Sequence, residues 1–306
     1  MRLLVTGGNG SIGRELVPAL LTRGHEVVVL DREVKALGDH PRLRRVPGGV
    51  EDPAAVAEAT RGVDAIVHLA WSFADDPAYL VEHDLRGHLH LLEAARREQV
   101  RCFVYTSTAV VYGKPIRQPV DEDHPLLVLA ARKPAYGIAK EFAEKITLLA
   151  AQTDGPPAAI LRFWWAFGQE IGGRHLRELL GAAAAGEPLA VPADCGGSFL
   201  SLDDFIHTID LLLGTDLRVG RVFNLASGYV TWKEIARLIL DVTGSTAPIR
   251  VVPRAEWTGA AFLADRWELD DRRIRTELGF KPTRDPAGLR QALRDAIAAT
   301  WKSLRT

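Results

Sequence analysis

The stretch Leu3–Gly13 reads LLVTGGNGSIG and decides the fold of this chain. Leu3–Thr6 is a short apolar strand, and glycines follow it at positions 7, 10 and 13. These glycines serve a tight turn, the close approach of backbone to a pyrophosphate, and the packing of the next helix against the strand. The amino end of that helix offers free N–H groups and a positive dipole end to phosphates. Strand, turn and helix occur in the required order, so the stretch predicts a dinucleotide-binding turn.

An alternation of strands and helices continues from this turn. Strands are predicted at residues 3–6, 27–30, 65–69, 102–106 and 158–163. Helices are predicted at residues 11–23, 53–60, 80–98 and 134–152. Asp52 is a good N-cap for the second of these helices, and Pro53 suits its first position. The alternation implies right-handed crossovers and predicts an α/β fold, a Rossmann doubly wound parallel sheet with helices on both faces.

The pattern changes after residue 168. Helical segments at residues 175–185, 203–213, 233–243 and 285–299 are separated by loops that contain proline and glycine. We predict that residues 1–168 form an NAD(P)-binding Rossmann domain and that residues 169–306 form mainly a smaller substrate-binding lobe. A late strand near residues 222–225 is expected to return to the sheet.

Composition and charge exclude several classes of partner. The 306 residues carry a formal net charge of −1, so no nucleic-acid partner is expected. No apolar run approaches the roughly 18 residues of a membrane span, so no membrane partner is expected. The apolar run that follows Met1 is too short for a signal peptide, which makes a cytoplasmic location the expectation.

Cysteines and histidines suggest neither a disulfide framework nor a metal site. Cys102 and Cys195 are far apart in the sequence, and we expect both to be reduced thiols. The nine histidines show no metal-ligand spacing. His88 and His90 are two residues apart in a predicted helix and point away from each other, so we expect them to be solvated or capping residues.

The end of the second strand bears on the choice of cofactor. Asp31 lies 18 residues after Gly13, where a carboxylate can accept hydrogen bonds from an adenosine ribose and would repel a 2′-phosphate. This favours NAD. Arg32 lies beside it and could hold a 2′-phosphate, so NADP stays open.

A second set of residues suggests proton chemistry. Tyr136 and Lys140 are four residues apart, so they project from one face of a predicted helix. A nearby ammonium would lower the pKa of a tyrosine from about 10 and make Tyr136 a general acid or base near neutral pH. Thr108 follows a strand and could hydrogen-bond the reacting oxygen. Taken alone, the pair also fits a surface helix with a lysine that extends into solvent; the upstream glycine turn favours catalysis.

These motifs together resemble the extended short-chain dehydrogenase/reductase family, in its NAD-dependent epimerase/dehydratase branch. The resemblance spans nearly the whole chain and is carried by Thr6–Gly13, Asp31, His68–Ala70, Gly87, Thr108, Tyr136 with Lys140, Arg162–Gly168, Leu202–Asp204 and Leu278–Pro282. It implies hydride transfer at the nicotinamide C4. Tyr136 would be the acid/base, Lys140 would bind the nicotinamide ribose, and Thr108 would position the substrate oxygen.

The expected contacts form two sets. The cofactor is expected to meet Gly7, Gly10, Ser11, Ile12, Gly13, Asp31, Arg32, Val50, Leu69, Ala70, Trp71, Thr106, Tyr136, Lys140 and Phe163. The substrate is expected to meet Ser72, Phe73, Thr108, Trp164 and Trp165. Helices of this fold often pair into a four-helix interface, so the helices at 80–98 and 134–152 predict a homodimer.

The chain departs from the family at four positions. Trp165 and Gly197 stand where relatives that act on nucleotide sugars usually carry Asn and Arg to hold a diphosphate, which weakens the nucleotide-sugar interpretation. Trp165 suits stacking on a sugar face or an aromatic ring, and equally suits packing in the core. Gly49 replaces an Asp that meets the adenine, and Asp84 replaces an Asn three residues before Gly87.

We therefore expect an NAD(P)-dependent oxidoreductase or epimerase that acts on a hydroxyl or carbonyl group of a sugar or sugar-like molecule. Ala109 and Val110 stand where dehydratases usually place an acid pair, which argues against dehydration. Two alternatives stay open. One is a dehydrogenase or reductase of an aromatic or apolar alcohol, and the other is a non-catalytic dinucleotide sensor, whose relatives tend to lose the Tyr/Lys pair that this chain retains.

Overall fold

The fold is described from a computed structural model, which describes residues 1–34, 37–217 and 219–305. Its strands are β1 (Arg2–Thr6), β2 (Glu26–Asp31), β3 (Leu43–Pro47), β4 (Ala65–His68), β5 (Cys102–Thr106), β6 (Ala158–Arg162), β7 (Trp165–Phe167), β8 (Leu189–Pro192), β9 (Gly196–Ser201), β10 (Arg221–Asn224), β11 (Gly228–Thr231), β12 (Ile249–Val252) and β13 (Arg266–Trp267). Its helices are α1 (Gly13–Thr22), α2 (Pro53–Thr60), α3 (Pro77–Tyr79), α4 (Arg86–Arg97), α5 (Pro134–Gln152), α6 (Arg174–Ala185), α7 (Leu202–Leu213), α8 (Trp232–Thr243), α9 (Arg272–Leu278) and α10 (Pro286–Ser303).

Seven parallel strands form the central sheet in the order β3-β2-β1-β4-β5-β6-β10. Every residue of β4, β5 and β6 is buried, as expected for parallel strands that helices cover on both faces. The strand order reverses between β1 and β4, which opens a crevice at the carboxyl ends of these strands. The predicted Rossmann fold is confirmed.

Two apolar clusters fill the space between this sheet and its helices. On one face, α1 and α7 contribute side chains such as Leu16 and Phe205. On the other face, α2, α4 and α5 contribute side chains such as Val56, Leu91 and Ala143. The helices therefore hold the strand ends in fixed positions around the crevice.

Most predicted elements of the first half agree with the structure. The helices α2 and α5 have the predicted bounds, and the Asp52 side chain accepts hydrogen bonds from two N–H groups of the first turn of α2. The helix predicted at 80–98 differs. A π-helical segment, Leu80–Leu85, lies between α3 and α4. Such a segment shifts the helical register by one residue and is frequent at functional sites.

The second half contains two small sheets that the sequence patterns did not predict. Strand β9 pairs with β7, β11 and β13, and β8 pairs with β12. These strands are only two to six residues long, and β9 is buried on both faces, so an alternating pattern is absent. Helices α6, α8 and α10 pack around these strands and form a third apolar cluster, which includes Trp232 and Leu293. In the part of the chain that the structure describes, every helix falls short of the length and apolarity needed to cross a bilayer.

Candidate active site

The glycine turn is so tightly closed that it excludes side chains at two positions. Gly7 has a φ of +69°, and a Cβ atom there would lie 2.8 Å from the backbone nitrogen of Ala70. A Cβ atom on Gly13 would lie 2.5 Å from the Gly7 carbonyl oxygen and 2.5 Å from the Cα atom of Gly8. The turn therefore approaches the chain after β4, and the first turn of α1 approaches the turn itself, as closely as their backbones permit.

The residues between these glycines fit a pyrophosphate. The Gly10 N–H donates to the Gly7 carbonyl oxygen at 3.0 Å, which closes the turn. Ser11 is exposed and Ile12 half-buried, and both immediately precede α1. Their N–H groups lie at the amino end of a helix, where the dipole favours an anion. The turn thus provides room and donors for the phosphates of a dinucleotide.

The Asp31 carboxylate organises the edge of the crevice at the end of β2. One oxygen accepts from the Asn9 N–H at 2.8 Å, and the other accepts from the Glu33 N–H at 3.1 Å. The neighbouring Arg32 donates to the Glu51 carboxylate at 2.7 Å. A guanidinium with a carboxylate partner is less available to a 2′-phosphate, and Glu51 would repel that phosphate. The ion pair that occupies Arg32 and the negative charge of Glu51 both favour NAD over NADP.

Next to Asp31, the side chain of Glu51 occupies the space that is left by the absence of a side chain at Gly49. A side chain on Gly49 would collide with the carboxylate of Glu51, which occupies that space. Val50 is buried, and a Cβ atom on Gly87 would lie 2.8 Å from the Val50 Cβ. Glycine at position 87 therefore lets α4 pack against the predicted adenine wall.

The carboxyl ends of β1, β4, β5 and β6 bring the other predicted cofactor contacts together. The Leu69 N–H donates to the Thr6 carbonyl oxygen, and the Ala70 N–H donates to the Thr6 hydroxyl oxygen, each at 3.2 Å. The Thr106 hydroxyl donates to the His68 carbonyl oxygen at 2.8 Å. Phe163 follows β6, and its carbonyl oxygen accepts from the Ala109 N–H at 2.8 Å. These bonds fix the strand ends beneath the crevice.

Lys140 lies at the centre of these strand ends. Its Nζ atom donates to the Thr106 carbonyl oxygen at 2.8 Å. The same atom lies 4.1 Å from the centre of the Trp71 ring and 5.9 Å from that of the Tyr136 ring. Burial raises the pKa of Tyr136. A hydrogen bond between the Thr108 hydroxyl and Tyr136 lowers this pKa, but to a smaller extent. The structure therefore brings Thr108, Tyr136 and Lys140 together, as the sequence predicts.

The prediction that Lys140 lowers the pKa of Tyr136 below its usual value is wrong. Burial raises the pKa of Tyr136 above its usual value of 10, and the charge of Asp84 raises it further. Burial lowers the pKa of Lys140 from 10.5 to about 7, against the opposing charges of Asp84 and Glu144. A lysine that is half neutral near pH 7 cannot stabilise a phenolate as a full ammonium would.

Replacing Lys140 with Met should change how stability depends on pH. Between about pH 7 and pH 10.5 the unfolded chain keeps a proton on Lys140 that the folded chain has lost. The free energy of unfolding of the wild type should therefore rise with pH relative to Lys140→Met, by up to about 1.4 kcal/mol per pH unit. Urea denaturation of NAD-free protein at several pH values between 7 and 9 measures this difference.

A matched control lies on the same helix. Lys145 has a side chain that is 68% exposed and pairs with Glu141, so Lys145→Met should follow the wild-type pH profile. Parallel profiles for the wild type and Lys140→Met would show that Lys140 keeps an ordinary pKa.

A buried ion pair supports the end of β5. The Arg162 guanidinium donates to the Glu144 carboxylate at 2.6 Å, and both side chains are at most 5% exposed. Arg162 also donates to the Tyr112 hydroxyl at 3.1 Å, and the Ser107 hydroxyl donates to Glu144. Ser107 precedes Thr108, so this network holds the Thr108 backbone in position. Removing one partner would leave a buried charge uncompensated.

Hydrogen bonds and a ring contact hold the loop that follows β4 over Tyr136. The Ser72 N–H donates to the Asp84 carboxylate at 2.9 Å, and the Ser72 hydroxyl donates to its other oxygen. The Phe73 ring is 79% exposed and stacks on the Tyr136 ring at 5.9 Å between centres. Asp84 belongs to the π-helical segment, so the carboxylate that replaces the usual Asn anchors this loop.

The expectation for His88 is wrong. His88 is 1% exposed, and its Nε2 lies 2.8 Å from the Thr147 hydroxyl. Its ring stacks on the ring of His68 at 5.3 Å between centres. Burial and, to a smaller extent, the charge of Lys140 lower the pKa of His88 to about 3. The inward face of α4 therefore holds a neutral histidine under the site.

Two tryptophans form the far wall of the site. A side chain on Gly197 would collide with the Trp164 ring, which fills the space beside β9. The Trp165 ring is half-buried, packs 5.3 Å from Trp164 between centres, and donates its N–H to the Gly172 carbonyl oxygen at 3.0 Å. Both line an open cleft of about 910 Å³. Trp165 therefore packs against the apolar cluster that contains Trp232 and also faces the cleft.

Comparisons with known proteins identify the family. A family model described as the NAD dependent epimerase/dehydratase family matches residues 3–226. The chain belongs to this family. It is an NAD-dependent enzyme of the short-chain dehydrogenase/reductase superfamily, as the sequence predicts.

The family relatives span the whole chain. A UDP-glucose 4-epimerase from Lactobacillus helveticus is 29% identical and covers 99% of this chain and 96% of its own. A dTDP-glucose 4,6-dehydratase from Streptomyces niveus is 32% identical and covers 92% of this chain and 88% of its own. The Bordetella bronchiseptica enzyme WbmG, solved with NAD and UDP, has a TM-score of 0.81 at 26% identity and covers 98% of this chain and 94% of its own.

Sequence reasoning missed three parts of the site. Glu144 follows Lys140 by one helical turn, so its inward position could have been inferred from the same spacing. The bond from Asp84 to Ser72 depends on the π-helical segment, which leaves no clear pattern. Residues 254–267 contribute to the cleft from loops, two short 3-10 turns and the two-residue strand β13, and carry no periodic signal.

Proposed function

We propose that this chain catalyses NAD-dependent hydride transfer at a secondary alcohol or carbonyl group of a sugar-like small molecule. The observation that supports the proposal best is the convergence of Thr108, Tyr136 and Lys140 beside the glycine turn. The UDP-glucose 4-epimerase and the dTDP-glucose 4,6-dehydratase among its relatives favour a sugar-like substrate.

The chain's own residues would hold the cofactor and handle the proton. NAD, when bound, accepts and returns hydride at its nicotinamide. The turn from Gly7 to Gly13 would hold the pyrophosphate, Asp31 the adenosine ribose, and Lys140 the nicotinamide ribose. Tyr136 is protonated at neutral pH because burial raises its pKa, so it can donate a proton to a substrate carbonyl oxygen. Thr108 would hold that oxygen by a hydrogen bond.

Spectroscopy on the purified protein tests this function. Incubation with NAD and a panel of sugars, sugar acids, nucleotide sugars and aromatic alcohols should give a change in nicotinamide absorbance with at least one compound. NAD that stays with the protein through a desalting column would favour an epimerase, and exchangeable NAD would favour a dehydrogenase or reductase. No absorbance change and no interconversion with any member of the panel would argue against the proposal.

The same proposal includes a homodimer. Four apolar side chains on α4 and α5 are exposed by 43–56%, namely Leu89, Ile138, Phe142 and Leu149. Ile138, Phe142 and Leu149 follow one helical face, as expected for a helix that pairs with a copy of itself. Light scattering should give a dimer mass for the wild type and a monomer mass for Phe142→Glu. Leu129→Glu, at a site 80% exposed on a loop helix outside this face, should stay dimeric.

Two further parts of the proposal concern organisation and location. We keep the division into residues 1–168 and 169–306, which the separate apolar cluster around Trp232 supports. We also propose a cytoplasmic location, for which the free buried thiols of Cys102 and Cys195 are the support. Limited proteolysis and cell fractionation test these two statements.

A further inference from the structure

The 910 Å³ cleft lies against the start of the helix that carries Tyr136. Val110 and Ala131 line the cleft. Both also pack against Gly137, where a Cβ atom would lie 3.6 Å from Val110 and 3.7 Å from Ala131. Gly137 directly follows Tyr136 in α5. The cleft therefore adjoins the first turn of α5, which carries the proposed acid/base group, while the Tyr136 side chain is not itself part of the cleft wall.

The walls of the cleft are aromatic and have few polar groups to offer. Five aromatic side chains line it, namely Trp164, Trp165, Trp257, Phe262 and Trp267. Three of the indole N–H groups already donate to backbone carbonyl oxygens at 3.0–3.2 Å, those of Trp165, Trp257 and Trp267. These residues therefore present mainly ring surface, which favours a ligand with a flat or apolar face.

The polar groups of the cleft carry an excess of positive charge. Lys114, Arg132 and Arg254 line it together with one carboxylate, Asp265. Arg254 lies 3.6 Å from Asp265, and burial raises the pKa of Asp265 while the charges of Lys114 and Arg254 lower it, so Asp265 partly neutralises both of these cations. Arg132 lies 4.6 Å from the centre of the Phe262 ring and, among the described residues, pairs with no carboxylate. A guanidinium held over a ring is well placed to bind an anion.

The wall beside β9 is closed to a further cation. The Trp164 ring fills the space that a side chain on Gly197 would need. Recognition of an anion in this cleft therefore depends on the cations elsewhere in its lining, of which Arg132 and Lys114 are two.

We infer that this cleft binds a small ring compound that carries one carboxylate, with the ring against the tryptophans and the carboxylate on Arg132 and Lys114. The inference rests on the proposed function, because the ligand's hydroxyl or carbonyl group would be the one that reacts at Tyr136. Sugar acids and aromatic hydroxy acids share this chemistry. A nucleoside diphosphate does not, because it needs several donors for two phosphates.

Tryptophan fluorescence of the NAD-loaded protein reports binding directly, since tryptophans form the walls. The probes are galacturonate and mandelate, their uncharged counterparts galactose and 1-phenylethane-1,2-diol, and UDP. At least one acid should quench the fluorescence and bind about tenfold or more tightly than its uncharged counterpart. The acid that binds more tightly identifies the source of the carboxylate.

A pair of arginine variants isolates the anion site. Arg132→Gln should weaken binding of the acid by about 10- to 100-fold, the range for loss of one charge-assisted hydrogen bond. Arg174→Gln is the control, because Arg174 is 86% exposed on α6, pairs with Glu178 and does not line the cleft. Equal effects of the two substitutions would overturn the inference.

Two further outcomes would also overturn it: neither acid binds, or UDP binds more tightly than both. Failure of the proposed function gives a different pattern. Acid binding that depends on Arg132, without any change in nicotinamide absorbance and without interconversion of any member of the panel, would support the inference and count against hydride transfer.

Discussion

Replacing Tyr136 with Phe is expected to lower kcat by about 10²- to 10⁴-fold, the usual contribution of a positioned general acid or base. The phenol hydroxyl is the atom that would give its proton to the substrate oxygen, and Phe removes only that atom. The ring would keep its stacking on Phe73 and its place near Lys140, so NAD affinity should change by less than about twofold. Steady-state kinetics and an NAD-binding titration measure the two effects.

Tyr229→Phe is the matched control for this loss of a hydroxyl. Tyr229 lies in β11, its hydroxyl has no hydrogen-bond partner among the described residues, and it does not line the cleft. Its variant should have wild-type kcat. Wild-type kcat in Tyr136→Phe would remove Tyr136 from the mechanism.

Replacing Gly13 with Ala is expected to lower NAD affinity by about 10- to 100-fold. The new Cβ atom would lie 2.5 Å from the Gly7 and Gly8 carbonyl oxygens and from the Gly8 Cα. All three are backbone atoms, so α1 must move away from β1 and from the phosphate-binding turn. Overpacking of this kind costs about 1–3 kcal/mol, and each 1.4 kcal/mol is tenfold in affinity.

Calorimetric titration with NAD measures this loss, and Gly181→Ala provides the control. Gly181 lies in α6, where a Cβ atom meets nothing within 4 Å, so this variant should bind NAD as the wild type does. Circular dichroism would show whether Gly13→Ala folds. A folded Gly13→Ala protein with wild-type NAD affinity would contradict a role for this turn in phosphate binding.

Six of the seven strands of the central sheet follow from local signals in the sequence, whereas the edge strand β3 was not predicted. Leu3–Gly13 carries a complete strand, turn and helix, and α2 and α5 have caps or prolines at the predicted residues. The small sheets of the second half could not be predicted, because their strands are short and their partners are distant in the chain. Strand β7 pairs with β9, for example, across more than thirty residues.

For the site, the sequence by itself determined which groups could do chemistry: the Gly7–Gly13 turn and the Tyr136–Lys140 pair depend on spacings within one or two turns of backbone. Tertiary structure decided how those groups behave. Burial raises the pKa of Tyr136 and lowers that of Lys140, and burial depends on every element packed around them. The cleft likewise forms from segments near residues 110, 131, 165 and 260, which only folding brings together. Spacing fixes what neighbours along a helix can reach, whereas solvent exposure and distant contacts exist only once the chain has folded.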